Sequence, residues 1–378
     1  MTALRDFLEW LPSGAPAYIF LITVVVFFHE LGHFLVARWC GVAVETFSIG
    51  FGPEIAGWND RHGTRWKISW IPFGGYVKFL GDIGATSTPD RALLETLPED
   101  ERTRAFPLKP LWQRAAIVAA GPFANFILAI AIFTAMFMIF GQTYNKPVVD
   151  EVAPGSPAAI AGIHKGDVIR SINGRAINDF NEIRQVVTLN TGETLAIGLE
   201  RNGRLLTVMA KPRMTTVNDP FGGKNRMMGL GIVNAVKQDR ITRVYFGPVQ
   251  AARAACEQTW LIVKSTFVYM WQMSTGYADA SQLRGPIGVA SVSQKVASIS
   301  FVALISLAAF MSVSIGLINL FPIPLLDGGH LLYYGFEAVL GRPLGVRAQD
   351  VGFRLGLAAV LGLMVLVTWN DLVRLDLF

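Results

Sequence analysis

The sequence has few charged residues and few cysteines. Of its 378 residues, 16% are charged and 52% are hydrophobic, whereas about a quarter of the residues in soluble domains are charged. This composition argues against a soluble protein of this length. Two cysteines, Cys40 and Cys256, imply neither a disulfide framework nor a cysteine-ligated metal site. In so apolar a chain, the net charge of +5 is better explained by an unequal distribution of Lys and Arg between loops on the two sides of a membrane than by nucleic-acid binding.

Long apolar segments predict the fold class, which is a membrane α-helical protein with about four transmembrane helices. A helix needs about 20 apolar residues to cross a bilayer. The predicted helices are at about 16–40, 111–140, 299–320 and 355–373. Arg5 before the first segment resembles the start of a signal peptide, but no small-x-small cleavage signal precedes the histidine motif in that segment. We therefore expect the first helix to be retained.

The polar stretch between the first two helices predicts a membrane-associated β-sheet or hairpin. Residues 44–52 and 65–71 alternate, a pattern typical of strands, and 72–79 end the block. The region 44–79 fits an ordinary hairpin at the membrane face. It fits equally a sheet edge that reaches toward the active site and pairs with an extended substrate. Residues 82–107 are polar and acidic, which predicts a mobile loop.

The first apolar helix contains an H-E-x-x-H motif, His29-Glu30-Leu31-Gly32-His33. Histidines four residues apart lie on one face of a helix and can bind one Zn²⁺, and the adjacent Glu30 can act on a water at the metal. Ionisable residues in a membrane helix are costly and indicate function. A bound metal would satisfy all three, so the motif predicts a metal site inside the membrane.

The end of the third apolar segment offers a third ligand. Two prolines in Asn319-Leu320-Phe321-Pro322-Ile323-Pro324 stop a regular helix, which is tolerated at membrane depth only beside a protein cavity. Asp327 comes three residues later and can complete a His₂Asp site that leaves one position for water. It can also be a simple turn former before two glycines. His330 and Glu54 are rival ligands.

The second apolar helix contains a proline and a buried amide, in Gly121-Pro122-Phe123-Ala124-Asn125. A proline interrupts the hydrogen bonds of a helix, and an asparagine in hydrocarbon needs a partner. Asn125 therefore either bonds to a neighbouring helix or faces the active cavity.

Residues 144–235 are polar and predict an inserted β-rich α+β domain. Ser156-Pro157 is a helix start, Asn173-Gly174 a tight turn, 178–188 a helix and 201–203 a hairpin turn. The wording G-S-P-A-A…A-G-I-x-K-G-D-V-I-x-x-I-N-G resembles a PDZ domain of the circularly permuted bacterial kind. Such a domain binds peptide ends by strand addition, or it only blocks access by its bulk.

Residues 236–298 predict an amphipathic linker. A helical pattern at 249–273 combines aromatic and charged residues, which suits a helix lying in the membrane interface. Gly285-Pro286 separates this helix from the third apolar segment.

Lysines and arginines give the orientation. They border the 41–113 loop and the loop near 342–354, so both loops are expected in the cytoplasm. The metal site then lies toward the cytoplasmic side, and the PDZ-like domain and both termini are periplasmic.

Together, H-E-L-G-H, G-P-x-x-N, one intervening PDZ-like domain and N-x-x-P-x-P-x-L-D-G resemble the site-2 protease family of intramembrane zinc metalloproteases, in its bacterial regulator of sigma-E protease branch. These motifs stand in the family's order over nearly the whole chain. Some relatives have two tandem PDZ domains, whereas this chain shows one.

The resemblance implies a function and its residues. The implied zinc ligands are His29, His33 and Asp327. Glu30 becomes the catalytic base, and Asn319 and Asn125 hold the substrate backbone or the active-site architecture. The implied substrates are single-span membrane proteins of the bacterial inner membrane, such as trimmed anti-sigma factors, and signal-peptide remnants.

Two other classes remain open. A membrane scaffold would combine a peptide-binding domain with a structural metal, but structural zinc sites usually have four protein ligands. A metal transporter would need ionisable residues along several helices, and the second and fourth helices have few.

Overall fold

The computed structural model describes residues 2–82, 91–190, 192–218, 224–235 and 237–374. The α-helices are α1 Thr2–Trp39, α2 Arg91–Thr96, α3 Glu99–Arg102, α4 Leu111–Ile139, α5 Pro157–Ile160, α6 Phe180–Thr188, α7 Pro248–Ser274, α8 Pro286–Ile299, α9 Phe301–Asn319, α10 Asp327–Leu340 and α11 Val346–Arg374. The strands are β1 Val44–Asn59, β2 Arg65–Phe79, β3 Gln142–Asn145, β4 Glu151–Val152, β5 Val168–Ile172, β6 Arg175–Ala176, β7 Leu195–Arg201, β8 Arg204–Ala210, β9 Arg213–Asn218, β10 Lys224–Gly229, β11 Ile232–Val233 and β12 Ile241–Val244.

Among the described residues, four helices are long and apolar enough to cross a membrane. They are Ala15–Trp39 of α1, all of α4 and α9, and Arg347–Val373 of α11. The shortest, α9, has 19 residues and rises about 28 Å, close to the hydrocarbon thickness of a bilayer. The prediction of about four membrane helices is confirmed, and the chain is a membrane protein. The fourth helix begins nine residues before its predicted start because charged residues lower the hydropathy of its first turns without preventing a helix.

The chain divides into two compact units. The first, here called the membrane unit, comprises Met1–Phe133 and Arg284–Phe378, and the second, the polar unit, comprises Thr134–Leu283. Each is described by itself below.

In the membrane unit, β1 and β2 form an antiparallel hairpin at the end of α1. The register pairs Val44 with Phe79 at its base and is irregular between Phe51 and Glu54. The rings of Phe47 and Trp66 stack 4.3 Å apart between the two strands. Phe34 of α1 packs against both of these rings. Aromatic packing therefore attaches the hairpin to the helix that carries the histidine motif.

Small residues let the helices of the membrane unit approach closely. A Cβ atom on Gly32 of α1 would overlap the carbonyl oxygen of Ala120 on α4. A Cβ on Gly316 of α9 would lie 3.0 Å from the Pro122 carbonyl oxygen. Such contacts are typical of membrane helices, which gain little from burying apolar surface against one another.

The chain after α9 makes a compact turn and enters α10, a helix that the sequence pattern did not predict. Backbone bonds from Leu326 to Ile323 and from Gly329 to Leu326 close the turn. Gly328 and Gly329 are buried against its backbone, where any Cβ atom would overlap carbonyl oxygens. Glycine lowers helix propensity, so the two glycines conceal a helix start whose packing requires them.

The predicted mobile loop at 82–107 is wrong over its second half. Residues 83–90 lie outside the described residues. Two short helices, α2 and α3, come next, and Phe106 is 2% exposed and packs 5.0 Å from the ring of Phe79. An apolar anchor at 105–106 thus orders a stretch that looked polar by composition.

The predicted linker at 236–298 contains two different helices. The first, α7, belongs to the polar unit, whereas α8 belongs to the membrane unit. Asp371 of α11 accepts hydrogen bonds from the Gly285 and Gly288 N–H groups at 3.1 and 2.8 Å. These bonds satisfy free donors at the start of α8. Gly285-Pro286, expected to end a helix, therefore begins one, because proline is favoured in the first turn.

The polar unit is built around a four-stranded sheet in the order β6-β5-β7-β8. Its core includes the fully buried Ile169, Ile197 and Leu199. The Ser156 side chain caps α5, and the Asp179 side chain caps α6. The residues Asn173 and Asn202, each before a glycine, have φ of 50° in tight turns.

The helix α7 is joined to α6 within the polar unit. The side-chain amide of Gln272 is 3% exposed and donates to the carbonyl oxygens of Thr188 at 2.8 Å and Asn190 at 3.2 Å. These acceptors lie at the end of α6, where helix carbonyls lack partners. The polar unit is therefore larger than the predicted 144–235 domain.

Candidate metal centre and active-site cavity

Two histidine side chains of α1 face each other across one helical turn. The Nε2 atoms of His29 and His33 are 3.2 Å apart. The two residues are 7% and 8% exposed, and both lie in the part of α1 that can cross a membrane. The i, i+4 spacing thus places both imidazoles on one buried face of the helix.

Asp327, the first residue of α10, brings a carboxylate to the two imidazoles. Its Oδ2 lies 3.1 Å from His29 Nε2 and 3.5 Å from His33 Nε2. A zinc ion with tetrahedral bonds of about 2.0–2.1 Å separates its ligand atoms by about 3.3 Å. The three distances of 3.1, 3.2 and 3.5 Å match that edge length. The three side chains therefore fit one zinc ion without rearrangement.

The rival ligands do not join this group. Among the described residues, the cluster of ligand atoms within 4.8 Å of one another contains His29, His33 and Asp327. Glu54 lies on the β1–β2 hairpin in an ion pair with Arg65. The His330 side chain lines the same cavity without being part of the cluster.

Helix α4 packs against the side chain of His33. The Nδ1 of His33 lies 2.8 Å from the Ile117 carbonyl oxygen, so this nitrogen donates and Nε2 keeps its lone pair. A Cβ on Gly121 would overlap the His33 ring. The glycine of the G-P-x-x-N motif therefore makes room for a ligand.

Asn125 of α4 lies behind His29. Its amide nitrogen lies 3.3 Å from His29 Nδ1, and its buried Oδ1 has no hydrogen-bond partner among the described residues. If Nδ1 accepted from the amide, Nε2 would carry the proton and could not bind a metal. The oxygen and nitrogen of a side-chain amide are told apart by the hydrogen bonds that each can make. We therefore orient the Asn125 amide so that Oδ1 faces His29 and accepts a hydrogen bond from its Nδ1–H.

The position of Asn125 distinguishes the two interpretations that the sequence left open. It is 0% exposed and is not among the side chains that line the cavity. Of the two interpretations left open by the sequence, the bond to a neighbouring helix is the one found. Asn319, the last residue of α9, does line the cavity.

Glu30 lies between the histidines in sequence and faces the hairpin. It lines the cavity and is hydrogen-bonded to the backbone of Val77 on β2. A Cβ on Gly75 would lie 3.7 Å from the Glu30 Cγ. The hairpin therefore contacts the carboxyl group next to the metal ligands.

These groups share one cavity of about 410 Å³. Its walls come from α1, the hairpin, α4, α9, the following turn and α10. Leu325 in the turn has φ of +123°, a strained conformation for a residue other than glycine, of the kind found at functional sites. Among the described residues, no side-chain hydrogen bond is recorded for Asn319 or His330.

The electrostatics of the turn favour a charged ligand at Asp327. Burial by itself raises the pKa of the Asp327 carboxyl, but the neighbouring His33 and His29 outweigh it and hold the pKa below its ordinary value. Burial lowers the pKa of the His330 imidazole, and Asp327 only partly opposes this. This direction favours the ionised carboxylate, which is the form that a metal ligand requires.

Sequence reasoning missed the groups behind the ligands. The Ile117 acceptor is a backbone carbonyl, which no side-chain pattern marks. Gly121 and Asn125 belong to a motif that was noticed, but their separate tasks depend on how α4 crosses α1.

Comparisons with known proteins identify the family of the chain. Residues 17–363 match the family described as Peptidase family M50. A Rhizobium meliloti protein described as a candidate zinc metalloprotease is 45% identical over 98% of this chain and 99% of its own length. A similarly described Mesorhizobium japonicum protein is 45% identical over 94% of this chain and 97% of its own length. Metalloprotease MmpA of Caulobacter vibrioides is 39% identical over 95% of each chain. The chain therefore belongs to peptidase family M50, the site-2 protease family, and is a zinc metalloprotease.

Proposed function

We propose that the chain is an intramembrane protease that hydrolyses peptide bonds within or near the transmembrane segments of single-span proteins. One observation carries the proposal: a His₂Asp cluster with the spacing of zinc ligands lies beside Glu30 in a helix long enough to cross a membrane. In this proposal His29, His33 and Asp327 hold the zinc ion. Asn125 and the Ile117 carbonyl orient the two imidazoles.

Glu30 is the catalytic base. When bound, Zn²⁺ lowers the pKa of a water molecule and polarises the carbonyl group of the peptide bond. Glu30 accepts a proton from the attacking water and transfers it to the leaving nitrogen. One water thus adds across the C–N bond, and a carboxyl end and an amino end leave. The hydrogen bond that the Val77 backbone N–H donates to Glu30 holds the carboxyl group on the cavity wall.

The substrate must be extended before it can be cut, because the backbone of a membrane helix is shielded by its own hydrogen bonds. The amide of Asn319 offers both a donor and an acceptor to the released backbone. The cavity wall includes Gly74 and Gly75 of β2, which supports pairing of the substrate with the hairpin edge. Cleavage of helical substrates should then fall when that edge is disrupted.

The proposed location is the bacterial inner membrane, with the metal site toward the cytoplasm and residues 144–235 and both termini in the periplasm. The Lys and Arg residues near the hairpin and around the start of α11 support this orientation. In the polar unit, residues 144–235 act as a single PDZ domain that binds peptide ends. Exposed Trp260, Phe267 and Trp271 on α7 support contact with the membrane interface. Anti-sigma factors and signal-peptide remnants are the substrate classes implied by the family resemblance.

The test is cleavage of a single-span model substrate by purified protein, with the cut mapped by mass spectrometry. The wild type should cut inside the apolar segment. Glu30→Gln should lose about 10²–10⁴-fold in rate with its zinc content unchanged, and Glu257→Gln, an exposed glutamate on α7, should cut normally. Equal product from wild type and Glu30→Gln would disprove the assignment of Glu30. Absence of cleavage by the wild type, also with substrates trimmed on the outer side, would favour a membrane scaffold.

A further inference from the structure

The cavity contains an imidazole that the proposed mechanism does not use. His330 lies in the first turn of α10, three residues after Asp327, and residues at i and i+3 share a helix face. Its side chain lines the cavity together with His29, Glu30 and His33. Among the described residues, the His330 ring has no hydrogen-bond partner.

The two glycines between Asp327 and His330 fix which face of α10 points into the cavity. Cβ atoms on Gly328 would overlap the carbonyl oxygens of Leu320 and Phe321, and a Cβ on Gly329 would overlap that of Ile323. The glycine face is therefore locked against the turn. The face that carries Asp327 and His330 is left for the cavity, and the ring of His330 is placed by the same rigid helix as a metal ligand.

Two ordinary explanations for His330 do not account for it. A fourth metal ligand would belong to the compact cluster of ligand atoms, and within the described residues that cluster contains only His29, His33 and Asp327. A structural histidine in a partly buried position normally donates or accepts a hydrogen bond within the protein. An imidazole that does neither and lines a reaction cavity has its N–H available for a ligand.

We propose that His330 is a catalytic residue that donates a hydrogen bond to the carbonyl oxygen of the scissile peptide bond while negative charge develops on it. This inference rests on the proposed proteolytic function. Water attack converts the carbonyl carbon to a tetrahedral centre, and its oxygen gains charge that returns to the carbon when the C–N bond breaks. His330 transfers no proton, so the balance of the reaction is unchanged. Both the neutral and the protonated ring have an N–H donor.

Such a donor acts mainly on the transition state. Removal of one oxyanion donor from a protease typically lowers kcat by about 10²–10³-fold, while an interaction made only in the transition state leaves KM nearly unchanged. His330→Ala should therefore lose about 10²–10³-fold in kcat. His330→Gln, which retains an N–H donor, should recover part of that loss. The affinity of a phosphinic peptide, which imitates the tetrahedral centre, should fall in parallel with kcat.

The experiment uses the full-length protein in detergent with the single-span model substrate. It compares wild type, His330→Ala, His330→Gln and the control His164→Ala, whose histidine is exposed in the polar unit. Zinc content and thermal midpoint are measured for each. A fall in kcat with KM, zinc and midpoint unchanged, partial recovery in His330→Gln and weaker phosphinic-peptide binding would support the proposal.

Other outcomes would overturn it. Loss of zinc from both His330 variants would make the residue a ligand. A rise in KM with unchanged kcat would make it a substrate-binding group, and wild-type kinetics would make it a bystander. Failure of the proposed function has a different signature, because then wild type and Glu30→Gln would give the same product. If the thermal midpoint falls only in His330→Ala, the result for His330→Gln decides. Complete loss of activity in a folded, zinc-loaded His330→Gln protein would count against a hydrogen-bond donor at this position.

Discussion

Some buried carboxylates of the two units have different surroundings. In the polar unit, the Asp167 carboxylate accepts hydrogen bonds from the Arg201 side chain at 2.7 Å and from the backbone N–H of His164 at 2.8 Å. Asp150 accepts from Arg240 at 2.9 Å. In the membrane unit, Asp371 likewise accepts from Gly285 and Gly288, but no donor among the described residues reaches Asp327 Oδ2 or either oxygen of Asp82.

The difference shows how to separate groups that hold the fold from groups that hold a ligand. A buried charge with an arginine partner has its desolvation offset within the protein. A buried oxygen that two imidazole nitrogens approach, as at Asp327, is arranged as a ligand of a bound cation is. Missing partners alone are not sufficient, because Asp82 has none among the described residues and is not part of the metal-ligand cluster. Convergence of several unpaired atoms on one point is the more specific sign.

The largest effect on stability is expected from Asp167 in the polar unit. Burial by itself raises the pKa of Asp167, but bonds from Arg201 and the His164 N–H hold it below its ordinary value. Asp167→Asn should lower the local free energy of unfolding by about 2–3 kcal/mol, the usual contribution of hydrogen bonds to a charged group. Faster amide exchange in peptides from 144–235, measured in the full-length protein, would report this loss.

The pH dependence of that loss has a definite sign. A carboxyl whose folded pKa is depressed stabilises the protein above its unfolded pKa, about 3.9, and loses this contribution as pH falls through the folded value. The difference between wild type and Asp167→Asn should therefore be full at neutral pH and shrink in acid. Glu200→Gln is the matched control, since the Arg170–Glu200 pair is exposed and contributes under about 1 kcal/mol. An equal effect of both variants would contradict the comparison.

The next effect concerns Asn125 and tests whether the groups around His29 serve the metal. Asn125→Leu keeps the approximate volume and removes the acceptor for His29 Nδ1–H, so zinc affinity should fall about 10–100-fold, as for other groups that orient a metal ligand. Asn125→Asp retains an acceptor and should bind zinc nearly as well as wild type. Competition with a chromogenic chelator measures both. Unchanged affinity in Asn125→Leu would show that the amide supports only helix packing.

The sequence predicted the parts of this site that depend on local spacing. His29 and His33 are four residues apart in one helix, so their meeting required no knowledge of the fold. Asp327 was found from the need for a third ligand near a broken helix. His330 could not be ranked against Asp327, because both lie at the same end of α10 and only the packing of Gly328 shows how that helix is turned.

The larger misses arose where composition and packing disagree. The start of α10 contains two glycines, and α8 begins at Gly285-Pro286, so both looked like breaks. Each helix is formed because its first turn is fixed from outside, by the preceding turn for α10 and by Asp371 for α8. Residues 91–107 of the predicted mobile loop are ordered because of Phe106, a single apolar side chain in a polar stretch. The four membrane helices were found because their length and hydropathy are themselves the cause of insertion.

Asp82 gives the smallest expected effect and the sharpest limit to the comparison. Burial, together with the nearby Glu45 carboxylate, raises the pKa of Asp82 to about 8, although Lys78 opposes this. In the folded protein the Asp82 carboxyl group therefore ionises less readily than in the unfolded chain, where it ionises near pH 4. Asp82→Asn should stabilise the protein by about 1–2 kcal/mol, less than the pKa shift alone implies because the new amide is also buried without a partner.

The gain from Asp82→Asn should grow as pH rises from about 4 to about 8 and then level off. Thermal midpoints at pH 5.5 and 8.5 measure it, with zinc content as the second readout. Asp60 is the opposite case, because hydrogen bonds from Thr64, His62 and Arg38 outweigh burial and lower its pKa to about 2, so Asp60→Asn should destabilise. If Asp82→Asn instead lowered zinc binding or activity, an unpaired carboxylate outside the metal cluster would have a function after all. Convergence of unpaired atoms would then no longer separate the groups that bind ligands from those that only reduce stability.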